Sequence, residues 1–247
     1  RYQSLEAYTP GEQPRDMVYI KLNTNESPYP PAPSVVAAMD AQQVENLRLY
    51  SDPTGLSLKK KLAELYGLKV DNIFISNGSD DILNFAFMAY GQRGAIFPDI
   101  TYGFYPVFAQ LHGVEYQEIP LQADFTVNYK EYLNQNKLIV IANPNAPTGI
   151  ALDTGVIEEI ITSNPDNLVI IDEAYVDFGA KSCVPFIDKY DNILVVQTFS
   201  KSRSLAGSRV GFALGNRELI ADLRKVLTHP DGAYVMLGGM AGMARRC

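Results

Sequence analysis

The sequence predicts an α/β fold built on a mostly parallel sheet flanked by helices, and three observations carry that expectation. Short apolar runs recur at Ile73-Phe74-Ile75-Ser76, Ala95-Ile96-Phe97, Leu138-Ile139-Val140-Ile141, Leu168-Val169-Ile170-Ile171 and Ile193-Leu194-Val195-Val196. Their length and β-branched content suit strands covered on both faces. The segments between them, such as Gly155 to Thr162, are long enough for crossover helices, which parallel neighbours require. Turn-forming polar sequence comes after each run, at the strand ends where open α/β sheets bind ligands.

Composition narrows the function classes. The chain has 247 residues, 47% hydrophobic and 20% charged, enough for one large core. Its formal net charge of -7 opposes non-specific binding to nucleic acid. Two cysteines (Cys183, Cys247) and two histidines (His112, His229) build neither a disulfide framework nor a metal cluster, so a reducing, cytoplasmic setting without metal is expected. No apolar window is long enough to cross a membrane, and Arg1-Tyr2-Gln3-Ser4 does not open a signal peptide, so a soluble, unsecreted protein is expected. The missing initiator Met points to a trimmed N-terminus or one lying upstream.

The chain divides into three regions. Residues 1–34 contain Pro10, Pro14, Pro28, Pro30, Pro31 and Pro33, which favour an extended arm. Residues 35–227 hold the alternating strands and helices of a large domain. Residues 228–247, ending in Met236-Leu237-Gly238-Gly239-Met240, form a tail whose glycines disfavour a helix and which is too short to span a membrane.

The residues just past each run carry the chemistry. After the first come Ser76-Asn77-Gly78-Ser79-Asp80-Asp81 and a predicted helix from Asp80 to Tyr90. The free N–H groups and positive dipole end of that helix favour a phosphate, aided by the Ser79 hydroxyl. A plain cap by Ser79 or Asp80 explains the same residues, and no Gly-Lys-Ser/Thr supports a nucleotide loop. The second run leads to Tyr102, which either stacks on a flat heteroaromatic ligand or packs as an ordinary half-buried tyrosine. The third ends in Asn143-Pro144-Asn145-Ala146-Pro147-Thr148-Gly149, a rigid turn that a helix cap at Thr148 or Asp153 also explains. The fourth ends in Asp172-Glu173-Ala174-Tyr175. An acid directly behind four apolar residues is expected to be partly buried and to need a partner, either a protonated pyridine nitrogen or a local Arg. The fifth ends in Thr198-Phe199-Ser200-Lys201, with Arg209 downstream; a desolvated or cation-flanked lysine is a nucleophilic amine, a solvated one a surface charge.

In this order the segments resemble the pyridoxal-phosphate aminotransferases of the aspartate aminotransferase fold, most closely their histidinol-phosphate aminotransferase branch. The resemblance runs from about Tyr8 to about Val226. It includes Tyr8-Thr9-Pro10-Gly11-Glu12-Gln13, Leu22-Asn23-Thr24-Asn25-Glu26-Ser27-Pro28-Tyr29 and Leu49-Tyr50-Ser51-Asp52-Pro53 besides the five strand ends. It implies that Lys201 holds pyridoxal 5'-phosphate covalently and, once displaced by the substrate amine, moves the proton between the substrate α-carbon and the cofactor carbon. Asp172 is implied to keep the pyridine nitrogen protonated, Tyr175 to hydrogen-bond the ring hydroxyl, and Tyr102 to stack on the ring. Gly78, Ser79, Asp80, Thr198, Ser200 and Arg209 form the implied phosphate cup, where a planar guanidinium engages two oxygens. Tyr50 is implied to reach the phosphate of a partner subunit's cofactor, hence a homodimer, and Asn25 to help hold the substrate carboxylate. The implied reaction, in histidine biosynthesis, transfers an amino group between L-histidinol phosphate and 2-oxoglutarate. An amino-acid-phosphate decarboxylase, such as threonine-phosphate decarboxylase, shares these cofactor motifs, and a non-catalytic cofactor-binding fragment is the alternative of another class.

Two departures from the family pattern stand out. The family usually has Asn directly before Pro-Thr-Gly, donating to the ring hydroxyl, where this sequence has Ala146; Tyr175 is left to carry that interaction, or Asn145 to adjust. Family members also continue into a small α/β domain that carries the arginine for the substrate carboxylate. Here the segment from about Thr228 does not match and that domain is missing, so the chain as written is expected to grip the cofactor but transaminate poorly.

Overall fold

The computed structural model describes residues 19–50 and 52–228, with Glu12, Asp16 and Met17. Tyr8 to Gln13 apart from Glu12, Pro14, Ser51, His229 and the rest of the tail through Cys247 lie outside the described residues. Among the described residues, seven strands form one sheet: β1 (Ile73–Ser76), β2 (Ala95–Pro98), β3 (Tyr116–Ile119), β4 (Leu138–Ala142), β5 (Val169–Asp172), β6 (Ile193–Thr198) and β7 (Gly211–Gly215). Their spatial order is β1-β7-β6-β5-β4-β2-β3. Neighbours from β6 to β3 are parallel, and β7 is antiparallel to both β6 and β1.

The five predicted runs become β1, β2, β4, β5 and β6. Sequence reading missed β3 and β7. Tyr116, Gln117 and Glu118 are exposed on the sheet edge, so β3 has no apolar run. In β7 only Phe212-Ala213-Leu214 separate two glycines, which is shorter than the usual strand signature.

Alternation along each strand feeds two cores. Ile73, Ile75, Ile139, Ile141, Ile171 and Val195 pack with helices α3 (Leu56–Tyr66) and α6 (Thr154–Ser163). Phe74, Val140, Ile170, Leu194, Val196 and Ala213 pack with α4 (Ser79–Tyr90), α5 (Tyr105–His112) and α7 (Arg217–Thr228). Burial on both faces is why these strands read as unbroken apolar runs. Ahead of the sheet, α1 (Pro33–Ala38) opens on a proline and α2 (Ala41–Glu45) comes next, while residues 19–32 hold no helix or strand. No helix among the described residues is long and apolar enough to cross a membrane.

The topology sets where chemistry can gather. β1, β2, β4, β5 and β6 point the same way and end at one edge, where antiparallel β7 begins. In register, Ser76 and Thr198 both pair with Gly211, and Asp172 lies between Ala142 and Val196.

Candidate active site

A cavity of about 370 Å³ opens at that edge, within the size range of small-ligand sites. Each strand end contributes to its wall: Ser79 and Asp80 after β1, Tyr102 after β2, Ala142 and Ala146 at β4, and Asp172 and Tyr175 at β5. Thr198, Ser200 and Lys201 come from β6, and Arg209 precedes β7.

At one end lies Asp172, 5% exposed. Its Oδ1 accepts from the Ala174 N–H at 3.1 Å and its Oδ2 from the Tyr105 hydroxyl at 2.9 Å. Among the described residues it makes no ion pair, so the local Arg that would explain an acid here is not what the structure provides. Burial pushes its carboxyl up to about 6 against the pull of those two hydrogen bonds. A cation delivered to this wall would relieve that cost. Next in sequence, Glu173 is 1% exposed and serves the scaffold, accepting from Ser182 Oγ, the Cys183 N–H and Gln197 Nε2.

At the other end α4 begins. Gly78 is its N-cap and no side chain caps it, so capping does not account for Ser79, whose side chain belongs to the cavity wall instead. A side chain at position 78 is disfavoured by φ of 89°, and an added Cβ would stand 2.6 Å from an Arg209 guanidinium nitrogen and displace it. Gly211 is equally constrained, because its Cβ would meet Gly78 C at 2.3 Å and Ser79 N at 2.4 Å. Arg209 pairs with Asp80 at 3.4 Å, and the Tyr102 hydroxyl donates to the same carboxylate at 2.7 Å. Thr198 Oγ1 donates to Ser200 Oγ at 2.9 Å, fixing that turn beside the helix end.

Lys201 stands at the mouth. Its Nζ donates to the Thr24 carbonyl at 2.9 Å and lies 5.7 Å from the centre of the Tyr175 ring. Asn25 Nδ2 donates to the Tyr175 hydroxyl at 2.9 Å, and Ser204 Oγ to Ser27 Oγ at 2.8 Å, so the segment before α1 is docked against the Lys201 loop. Arg203 braces that loop from below, donating to the Thr198 carbonyl at 3.3 Å, pairing with Asp177 at 3.4 Å and lying over Phe199 and Phe212. Thr24, Asn25, Ser204 and Arg209 are non-glycine residues with φ between 51° and 62°. Backbone held in this costly region commonly marks a functional site.

Eleven of the residues expected at the site meet here: Gly78, Ser79, Asp80, Tyr102, Asp172, Tyr175, Thr198, Ser200, Lys201 and Arg209 directly, Asn25 through Tyr175. Two do not. Asn145 is 3% exposed and turned away, its Oδ1 accepting from Thr101 Oγ1 at 2.8 Å and its Nδ2 donating to Ile100 O at 2.9 Å. Its amide is thus engaged with Thr101, Ile100 and Thr148, whereas Ala146 lines the cavity. Tyr50 is 91% exposed and is not part of the wall. Capping does explain Asp153, whose carboxylate accepts from the Gly155 N–H at the start of α6. Sequence reasoning missed Tyr105, although its place three residues after Tyr102 was a signal that one turn brings the two together.

Residues 18–230 match the family described as aminotransferase class I and II. A histidinol-phosphate aminotransferase of Brachyspira hyodysenteriae is 56% identical over 91% of this chain and 64% of its own length. One from a Marinomonas species is 53% identical over 97% of this chain and 70% of its own length, an alignment that runs past Thr228. The solved histidinol-phosphate aminotransferase of Sinorhizobium meliloti, in complex with pyridoxal-5'-phosphate, superposes with a TM-score of 0.77 at 26% identity over 90% of this chain and 62% of that one. The chain thus spans somewhat under two thirds of the Brachyspira and Sinorhizobium proteins. With this match along most of its length, and with the aspartate-aminotransferase-like sheet described above, the chain belongs to the class I and II aminotransferase family.

Proposed function

We propose that this chain is the cofactor-binding part of a pyridoxal-phosphate-dependent transaminase that exchanges an amino group between L-histidinol phosphate and 2-oxoglutarate. One observation supports it above the rest: a single cavity joins the amine of Lys201, the buried and unpaired acid Asp172, and the uncapped start of α4 beside Arg209. The residues present fit the cofactor. Asp172 suits a protonated ring nitrogen, Tyr102 a ring face, and the helix end with Ser79, Thr198, Ser200 and Arg209 a phosphate dianion.

When bound, the cofactor supplies an electron sink for the bonds at the substrate α-carbon. The chain does the rest. Lys201 would hold the cofactor covalently, and its Nζ, once displaced by the substrate amine, would move the proton between the substrate α-carbon and the cofactor carbon. Asp172 keeps a proton on the ring nitrogen by its charge. Tyr175 donates to the ring hydroxyl alone, since Ala146 has no donor, and Asn25 both orients Tyr175 and reaches toward the substrate carboxylate. Tyr50 serves the phosphate site of a second copy. Ile20, Leu22, Tyr29 and Tyr50 are all more than three-quarters exposed, an apolar surface suited to cover by a homodimer partner.

Borohydride reduction of the loaded protein from its natural source, followed by peptide mapping, should label Lys201. Label on another lysine, or none on folded protein, would overturn the cofactor site. Glutamate should then form from 2-oxoglutarate with histidinol phosphate as donor; release of CO₂ without amino transfer would replace the transaminase by a decarboxylase.

A further inference from the structure

We infer that Tyr105 is a positioning residue for the ring-nitrogen end of the cavity: its buried hydroxyl orients the Asp172 carboxylate and keeps it ionised by donating to Oδ2. The inference rests on Asp172 being the partner of the cofactor's ring nitrogen. Tyr105 is fully buried at the first position of α5; it does not itself line the cavity, and its hydroxyl reaches the wall at Asp172. Its ring is held edge-on to Tyr102 at 5.6 Å and lies 5.7 Å from Phe97, so the phenol cannot swing away without disturbing both. Burial keeps that phenol far above its ordinary pKa of 10.0, and it remains a neutral donor wherever the protein is folded.

The carboxylate is therefore held once on each oxygen, by Ala174 N–H on Oδ1 and Tyr105 O–H on Oδ2. Other charged and titratable groups act on it from different elements. Asp80 on α4 opposes its ionisation and Lys201 after β6 favours it, while Tyr102 spends its hydroxyl on Asp80. Glu173, although adjacent, is turned to Ser182, Cys183 and Gln197. Burial alone drives an acid toward its neutral form, which has no charge to offer a ring cation. The Tyr105 hydrogen bond leads the forces that resist this. The turn that leads into α5 thus gives a phenol to each cavity acid, Tyr102 to Asp80 and Tyr105 to Asp172.

The test is a carbon-13 NMR titration of the Asp172 carboxyl in the full chain freed of cofactor, assigned by the signal lost in Asp172→Asn. In the wild type the midpoint should lie near 6. Tyr105→Phe keeps the ring and removes only the donor, so the midpoint should rise by about one pH unit or more. Tyr132→Phe is the control, because Tyr132 is equally buried and its hydroxyl has no hydrogen-bond partner among the described residues. An unchanged midpoint in folded Tyr105→Phe, or an equal rise in Tyr132→Phe, would overturn the inference. A second measurement needs no variant. The Tyr105 ring carbon bearing the hydroxyl should titrate with the Asp172 midpoint while that of Tyr132 does not, and a Tyr105 signal flat across this range would also overturn it. Because no cofactor is present, these outcomes are independent of the borohydride result.

Discussion

Asp172→Asn should make the cofactor-free protein more stable while crippling the loaded enzyme. The unfolded chain releases this proton near 3.8, whereas the folded chain retains it to about 6. Between those values the folded state binds more protons, so stability falls as pH rises through the window and stays lowered above it. At about 1.4 kcal/mol per pH unit, the cost of the ionised acid above pH 6 comes to about 3 kcal/mol. Asparagine escapes that cost. Its oxygen can still accept from the Ala174 N–H, but its NH₂ meets the Tyr105 oxygen and leaves the phenol proton without an acceptor, which takes back about 1 kcal/mol. The variant should therefore gain about 2 kcal/mol near pH 7.5 and show a small deficit near pH 4, where aspartate is neutral in the folded state and only about half ionised in the unfolded one. Urea unfolding of both cofactor-free proteins from pH 4 to 8 measures the gap directly. A variant less stable than wild type at pH 7.5, or a gap that does not change with pH, would refute the reasoning. With cofactor bound, turnover should collapse while cofactor retention changes little, because the amide cannot supply charge to the ring nitrogen and the phosphate end is untouched.

Two further perturbations probe the phosphate end. Arg209→Ala should weaken cofactor binding by one to two powers of ten, the worth of a charge-assisted contact of about 1.5–3 kcal/mol, and equal affinity in equilibrium dialysis would remove Arg209 from the site. Gly211→Ala forces a methyl to within 2.3 Å of Gly78 C and 2.4 Å of Ser79 N. It should cost about 1–3 kcal/mol of stability and loosen cofactor binding together, since the displaced atoms begin the anion-binding helix; an unchanged thermal midpoint with unchanged affinity would contradict this.

How much of this was legible in the sequence depended on how local the cause was. β1, β2, β4, β5 and β6 were legible because burial on both faces leaves an unbroken apolar run, and the residue just past each run inherits the cavity by topology. Asp172 and Lys201 were singled out as candidates on that ground, their roles came from the family resemblance, and both line the cavity. β3 was not, because an edge strand needs no apolar pattern. Asn145 and Ala146 show the limit of reading a turn. Both lie in the same Pro-bounded segment, yet one holds Thr101 and the other lines the cavity, a choice set by backbone direction and not by residue type. Tyr105 was hidden for another reason: its partner lies 67 positions away, and nothing in a local window links a helix-start tyrosine to a strand-end acid. Tyr50, expected at the site through a second copy, is 91% exposed and does not line the cavity.

The sorting of charge along the cavity explains why a ligand with a phosphate and a cationic ring would enter one way round. Arg209 and the positive end of α4 stand at one end, and Asp172 stands at the other. Reversal would set a dianion against the buried carboxylate, where each like-charge pair at about 4 Å costs on the order of 4 kcal/mol at an intermediate dielectric. Asp80 looks like an exception, being an acid beside the phosphate end. Its carboxylate is nonetheless already engaged, with Tyr102 at 2.7 Å and Arg209 at 3.4 Å. It therefore joins the Tyr102 phenol to the Arg209 guanidinium. A phosphate bound at this end would compete with Asp80 for Arg209, while the Tyr102 contact would still hold the Asp80 carboxylate. The two acids of the cavity thus differ in their partners: Asp80 is shared between the Tyr102 phenol and the Arg209 guanidinium, whereas Asp172 is buried with only the neutral donors of Ala174 and Tyr105 on its oxygens.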